Sequence, residues 1–161
     1  MSTAPLVAAI VGPTAVGKSE AGVAVAIRLG AEIVSVDSMQ VYRRLDAGTA
    51  KPSAALRAAI PHHLIDIIEP SHALSVAEFQ ELGRNAIADV WSRGKLPLLV
   101  GGSGLYLRAL VDDLSFPPSS PSVREELEAE AVTAEPAALH ARLAQLDPVA
   151  AARIEPSNRR R

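Results

Sequence analysis

Residues 12 to 19 read GPTAVGKS. Gly12, Gly17, Lys18 and Ser19 stand at the spacing G-x-x-x-x-G-K-S, with Pro13, Thr14, Ala15 and Val16 between them. That spacing suits the capture of phosphate. Glycines at both ends let the backbone turn so that successive N–H groups converge on an anion. A helix opening at the same point aims the positive end of its dipole there. Lys18 adds a full positive charge near a terminal phosphate, and Ser19 offers a hydroxyl to Mg²⁺. A chance glycine-rich turn would lack the flanking elements. Here the apolar run Leu6–Val11 reads as a buried strand before the loop, and Lys18–Leu29 carries helical patterning after it.

The loop by itself specifies a polyphosphate and not which one. No N-K-x-D base-reading motif follows, which argues against a GTPase. No run of four apolar residues ends in Asp-Glu, which argues against motor-type and transporter-type ATPases. Small group-transfer enzymes remain.

Asp37 stands where the next apolar run ends, in VSVDSMQVY. Ligand crevices of open α/β sheets lie beyond the carboxyl ends of the strands. Asp37 should therefore face the phosphate loop, where it can hold Mg²⁺ or accept a proton from a nucleophile. A turn or helix-cap aspartate is the plainer alternative. Ser38, Met39 and Gln40 extend from the same point, and a Gln amide can read an adenine edge.

The elements that must position these groups alternate. Strands are expected at Leu6–Val11, Glu32–Val36, His63–Ile68 and Leu98–Val100. Helices are expected at Lys18–Leu29, Ser53–Ile60, from the capping box Ser75-Val76-Ala77-Glu78 to about Arg93, and at Gly104–Val111. This alternation predicts an α/β domain on a parallel sheet over residues 1–114. A Pro/Ser linker, SFPPSSP, follows at Ser115–Pro121. Residues 115–161 then read as helical, with helices from the capping box Ser122-Val123-Arg124-Glu125 to about Ala131, at Pro136–Leu146 and at Pro148–Ile154.

Composition narrows the partners. The chain has 161 residues, 48% of them hydrophobic, and a formal net charge of −2. Nucleic acid held by overall charge would need a basic protein, so RNA binding here calls for a local basic patch. With no cysteine, thiolate metal sites, disulfides and a cysteine nucleophile are excluded. No stretch approaches the roughly twenty apolar residues of a membrane span. No Lys or Arg precedes the short N-terminal apolar run. A cytoplasmic monomer without membrane contact is expected.

The motifs together resemble the tRNA dimethylallyltransferases, the isopentenyl-transferase enzymes that prenylate an adenosine beside the anticodon. The segments that carry the resemblance are GPTAVGKS (12–19), DSMQVY (37–42), GTAKP (48–52), PHHLID (61–66), LSVAEF (74–79) and GGSGLYLRAL (101–110). They fall in the family's order and cover nearly the whole chain. The resemblance implies a P-loop NTPase or kinase-like parallel sheet with flanking helices and a helical insertion. It implies that the loop holds the pyrophosphate of dimethylallyl diphosphate, with Mg²⁺ and Lys18 stabilising the leaving group. It places Asp37 against the exocyclic amine of the target adenine and Ser103 as a tRNA-contacting hydroxyl, where the usual residue is Thr. Ser38, Met39, Gln40 and Arg124 become candidate tRNA contacts, although Arg124 also reads as a plain surface helix position. Family members are roughly twice as long. The resemblance thus implies a further strand, helices and RNA-gripping surface, of which Arg159, Arg160 and Arg161 would be the start; a solvated basic tail is the equal alternative for these three.

Other residues invite weighing. His62 and His63 are adjacent on a predicted strand and point to opposite faces, so one metal ion cannot easily take both. Hydrogen bonding is their expected role. Asp66 is expected at the edge of the core, with a supporting partner to the site residues as the alternative, and Lys51 in solvent, unless the GTAKP motif brings it to phosphate or RNA. Phe79 and Trp91 are expected in the core. Two rivals to the prenyltransferase stay open: a small-molecule P-loop kinase binding ATP, with Asp37 deprotonating a hydroxyl, and a non-catalytic module that binds nucleotide or RNA.

Overall fold

A computed structural model describes residues 6–112, 114–116 and 120–158. Arg159–Arg161 and residues 117–119 of the expected linker lie outside the described residues. The chain divides into two units, residues 1–115 and 116–161.

The first unit is built on four parallel strands: β1 (Ala8–Val11), β2 (Ala31–Val36), β3 (His62–His63) and β4 (Leu96–Gly101), in the order β1-β4-β2-β3. Strands buried on both faces need helices on both sides. Helix α1 (Lys18–Leu29) covers one face. There Val23 and Ala26 pack with Ile33, Leu98 and Val100. The helices α3 (Val76–Ser92) and α4 (Gly104–Val111) cover the other. Phe79, Ile87 and Leu110 pack there against Val34, Val36 and Leu99. Alternating residues of β2 and β4 thus feed opposite cores, as strand geometry requires. Helix α1 ends where Gly30, at φ 61°, caps Ala26 and Ile27. The Ser75–Glu78 capping box opens α3, with both of its hydrogen bonds present. Ser53 caps α2 (Ala54–Ala59). Phe79 is fully buried and stacks on Tyr106 at 4.1 Å. Trp91 lies half-buried and donates Nε1–H to the Leu6 carbonyl at 3.0 Å.

The expected strand His63–Ile68 forms only at its start. Leu64 and Asp66 take positive φ, 63° and 57°, which breaks an extended run. The chain then returns to pair with residues 40–43: Asp66 N–H donates to the Gln40 carbonyl, and Ile67 N–H to that of Val41 at 2.9 Å.

The second unit holds α5 (Pro121–Thr133), α6 (Pro136–Leu146) and α7 (Pro148–Ala151). The expected Ser122 capping box is replaced by Ser120, whose hydroxyl accepts from Val123 N–H. Pro121 explains the shift, because its fixed φ and missing N–H suit the first helical position. Helix α7 stops short of Ile154 because residues 152–154 turn back on themselves. His140 Nε2 ties α6 to this turn, 3.0 Å from the carbonyls of both Ala151 and Ile154.

Candidate active site

Parallel pairing sets the site. Val11 lies opposite Gly101, and Gly101 lies opposite Val36. Three neighbouring strands therefore end level, and the residues that follow them, Gly12, Gly102 and Asp37, form a row. Two strand spacings separate Gly12 from Asp37, or about 10 Å. A diphosphate and a five-carbon group can lie along such a row.

The middle strand must end in glycines for this row to close. A Cβ on Gly101 would stand 2.0 Å from the Val36 carbonyl oxygen, and one on Gly102 2.9 Å from that of Gly12. On the outer side, Ala15 and Gly17 take positive φ, 65° and 82°. Alternation into the left-handed region curls the main chain into an anion-binding concavity. Among the described residues, the main-chain N–H groups of residues 14–19 donate in none of the turn, loop or side-chain hydrogen bonds. They remain available to a ligand, together with the first-turn amides of α1. Lys18 reaches back across the loop and donates Nζ–H to the Pro13 carbonyl at 2.5 Å. Pro13, Thr14, Ala15, Val16 and Gly17 are exposed, and Ser19 is half-buried.

Asp37 is half-buried. Its Oδ1 accepts the N–H groups of Met39 at 2.8 Å and Gln40 at 3.2 Å. Oδ2 has no hydrogen bond among the described residues, so one oxygen shapes the turn and the other can serve chemistry. Ser103, the residue before α4, leaves its own helix uncapped. Its Oγ instead accepts Ser38 N–H at 3.2 Å, while its N–H donates to the Val36 carbonyl at 3.3 Å. Ser103 and Asp37 are thereby held together across β2 and β4. The Met39 side chain is exposed.

Gln40 turns inward. Its Nε2 donates to the carbonyls of Thr49 and Ala50, and its Oε1 accepts from Ser35 Oγ at 3.0 Å. The amide thus holds the 48–50 turn. Ser19, Ser35, Gln40 and Pro52 line a small cavity of ≈ 20 Å³, room for one water.

Lys51 is not in solvent. Its side chain is 6% exposed, and Nζ donates to the Tyr42 carbonyl at 2.7 Å, Asp46 at 2.8 Å and Asp66 at 2.6 Å. Burial opposes its charge, but the two carboxylates more than offset this and leave the ammonium above its ordinary pKa. Asp66 takes the alternative role of a supporting partner, accepting from Lys51 and Arg57. Burial raises its pKa, yet Lys51 and Arg57 together hold it below the usual carboxylate range. The network pins the far end of the 37–42 segment. No motif-independent signal in the sequence marks it, because its members are scattered over 42–66.

The histidines take hydrogen-bonding roles. His62 Nδ1 sits 3.0 Å from the Ile60 carbonyl, and burial pushes its pKa down. His63 Nε2 sits 2.7 Å from Glu32 Oε2. Among the described residues no cluster of three or more His, Cys, Asp or Glu could hold a metal. Arg124 belongs to the second unit, on α5, where it pairs with Glu128 at 2.8 Å on an exposed surface.

A parallel sheet whose strands end level beside a glycine-bounded loop that opens a helix defines an α/β protein of P-loop NTPase-like fold. The chain belongs to the IPP transferase family, whose model matches residues 40–161, with an isopentenyl transferase model matching residues 5–66. It is 58% identical over 155 residues to a tRNA dimethylallyltransferase of Chloroflexus aggregans, covering 95% of this chain and 52% of that protein. It is 55% identical to one of Salinispora tropica, covering 96% and 49%. Among solved structures, the full-length tRNA isopentenylpyrophosphate transferase of Bacillus halodurans aligns with a TM-score of 0.65 at 49% identity, over 96% of this chain and 52% of that one. A eukaryotic dimethylallyltransferase captured acting on tRNA aligns with a TM-score of 0.81 at 28% identity, over 98% and 39%. The chain spans about half the length of the curated relatives it matches.

Proposed function

We propose that this chain forms the donor-binding and catalytic part of a cytoplasmic, monomeric tRNA dimethylallyltransferase. The single observation that carries the reading is the level row of strand ends, with an anion-binding loop at one side and a carboxylate with an unengaged oxygen at the other. The loop amides, Lys18 and the dipole of α1 receive the diphosphate of dimethylallyl diphosphate. Asp37 and Ser103 face the exocyclic amine of an adenosine adjacent to the anticodon, and Ser38 and Met39 frame it. Gln40, whose amide is engaged at Thr49, Ala50 and Ser35, acts by holding this segment rather than by reading the base. Arg124 supplies a tRNA contact from the helical unit.

The reaction needs no protein nucleophile. N6 of the adenine attacks the allylic C1 of the donor while the C1–O bond breaks. The diphosphate leaves with that electron pair, and the N6 proton passes to Asp37 Oδ2. Charge on the departing oxygen is met by the loop amides, which are already in place, and by Lys18, which exchanges the Pro13 carbonyl for it. Mg²⁺ is held largely by phosphate oxygens and water, and Ser19 Oγ at the loop is the protein group that would hold it here. When bound, the ion neutralises the diphosphate.

The test is incubation of a protein carrying this chain with unmodified tRNA and either labelled dimethylallyl diphosphate or labelled ATP. Label entering tRNA from the prenyl donor supports the reading. Phosphoryl transfer from ATP to a small molecule, with no label in tRNA, refutes it.

A further inference from the structure

An open cavity of ≈ 790 Å³ lies beside the site, lined by Arg43, Arg44, Lys51 and Arg57 and by the carboxylates Asp46 and Asp66. Its lining is net positive in a chain whose overall charge is −2. It adjoins the reaction centre: Pro52 lines both this cavity and the small one that holds Ser19 and Gln40. Lys51 on its wall grips the Tyr42 carbonyl, at the end of the segment that begins with Asp37.

The cations differ in how firmly they are engaged. Lys51 is buried with three acceptors and has no capacity left. Arg57, 38% exposed, donates to Asp66 at 2.6 Å. Arg43 and Arg44 are 53% and 77% exposed, and both lean on Glu69, which is itself 47% exposed. Arg43 also donates Nε–H to the Asp66 carbonyl at 3.0 Å, a bond that engages neither of its two terminal nitrogens. Exposed ion pairs of this kind contribute little and exchange readily. A guanidinium fork forms stronger, paired contacts with phosphate oxygens. The mobile charge is therefore on the rim and the fixed charge is inside. That arrangement suits a polyanion lying across the opening better than a small anion sealed within.

We propose that Arg43 and Arg44, at the rim of this cavity, bind phosphodiester groups of the RNA strand that carries the target adenosine. Glu69 holds the two side chains in place until the RNA displaces it. The proposal rests on the reading of tRNA as substrate, and supplies the local basic patch that the net charge requires.

Anisotropy of a labelled anticodon stem-loop RNA, titrated with the chain over a salt series, tests it. Arg44→Ala should weaken binding several-fold and reduce the slope of log K against log salt by about 0.7 to 1. Glu69→Gln should tighten binding, because it frees the Arg44 guanidinium and leaves Arg43 held only through Nε at the Asp66 carbonyl. Diphosphate affinity should stay unchanged in both variants. Unchanged RNA affinity and slope in both variants would overturn the proposal while leaving the transferase reading intact. So would a parallel loss of diphosphate affinity, which marks a folding defect. If the unsubstituted chain binds no stem-loop, the proposal falls, while the tRNA reading is decided separately by label transfer from the prenyl donor.

Discussion

The Ser103 hydroxyl accepts the main-chain N–H of Ser38 at 3.2 Å, joining residues 65 positions apart in the chain. This bond fixes the turn that carries Asp37 to the end of β4, and so to the strand that borders the phosphate loop. Ser103→Ala removes it and leaves the Ser38 amide without that partner. A bond of this kind is worth about 1 kcal/mol. We expect kcat/KM for tRNA to fall roughly five- to tenfold. Ser103→Thr, which keeps the hydroxyl, should stay close to the unsubstituted enzyme. Steady-state kinetics of both variants would show the difference. Equal losses in the two would mean that the hydroxyl is not what matters.

Lys18 spans its own loop to the Pro13 carbonyl. A diphosphate offers it a charged acceptor in exchange. Lys18→Ala should therefore raise the Kd for dimethylallyl diphosphate by about ten- to a hundredfold, the range of a charge-assisted hydrogen bond. Titration calorimetry gives the value directly. An unchanged Kd would remove Lys18 from the donor site.

Glu32 predicts the pH dependence of stability. Its side chain is 9% exposed and is bonded by Arg93 Nη2 at 2.7 Å and by His63 at 2.7 Å. The Arg93 hydrogen bond, against the opposing effect of burial and with help from His63, holds its pKa below the usual glutamate value. A carboxylate with a depressed folded-state pKa stabilises above its unfolded value and loses that contribution as pH falls toward the folded one. Stability should thus be intact at pH 7 and decline below about pH 4.3. Glu32→Gln should cost about 2 kcal/mol at pH 7 and flatten the acid limb. Thermal melts from pH 7 to pH 3 check both. A variant that keeps the acid limb would assign it to other carboxylates.

The sequence made the row of strand ends legible where the signals were local. Glycine spacing located the loop, and the helix Lys18–Leu29 followed from its patterning and from Gly30. The end of β2 located Asp37. The segment from 40 to 68 was not legible in the same way. Its conformation depends on Gln40 reaching Thr49 and Ala50, and on Lys51 reaching Tyr42, Asp46 and Asp66. Such bonds have no periodicity. The same tertiary ties hold Leu64 and Asp66 at positive φ and break the strand that their apolar neighbours suggested. Local rules also misplaced one helix start, because Ser122 fits a capping box as well as Ser75 does. Only Pro121 favours Ser120.

The central claim is that Asp37 does chemistry with one oxygen while the other holds its turn. Asp37→Asn separates the two, since an amide oxygen can still accept from Met39 and Gln40. The decisive measurement is single-turnover transfer of labelled dimethylallyl to unmodified tRNA by this variant, at saturating donor. The rate should be at least about a hundredfold lower, with donor affinity and melting temperature unchanged. Transfer at a near-normal rate would contradict it.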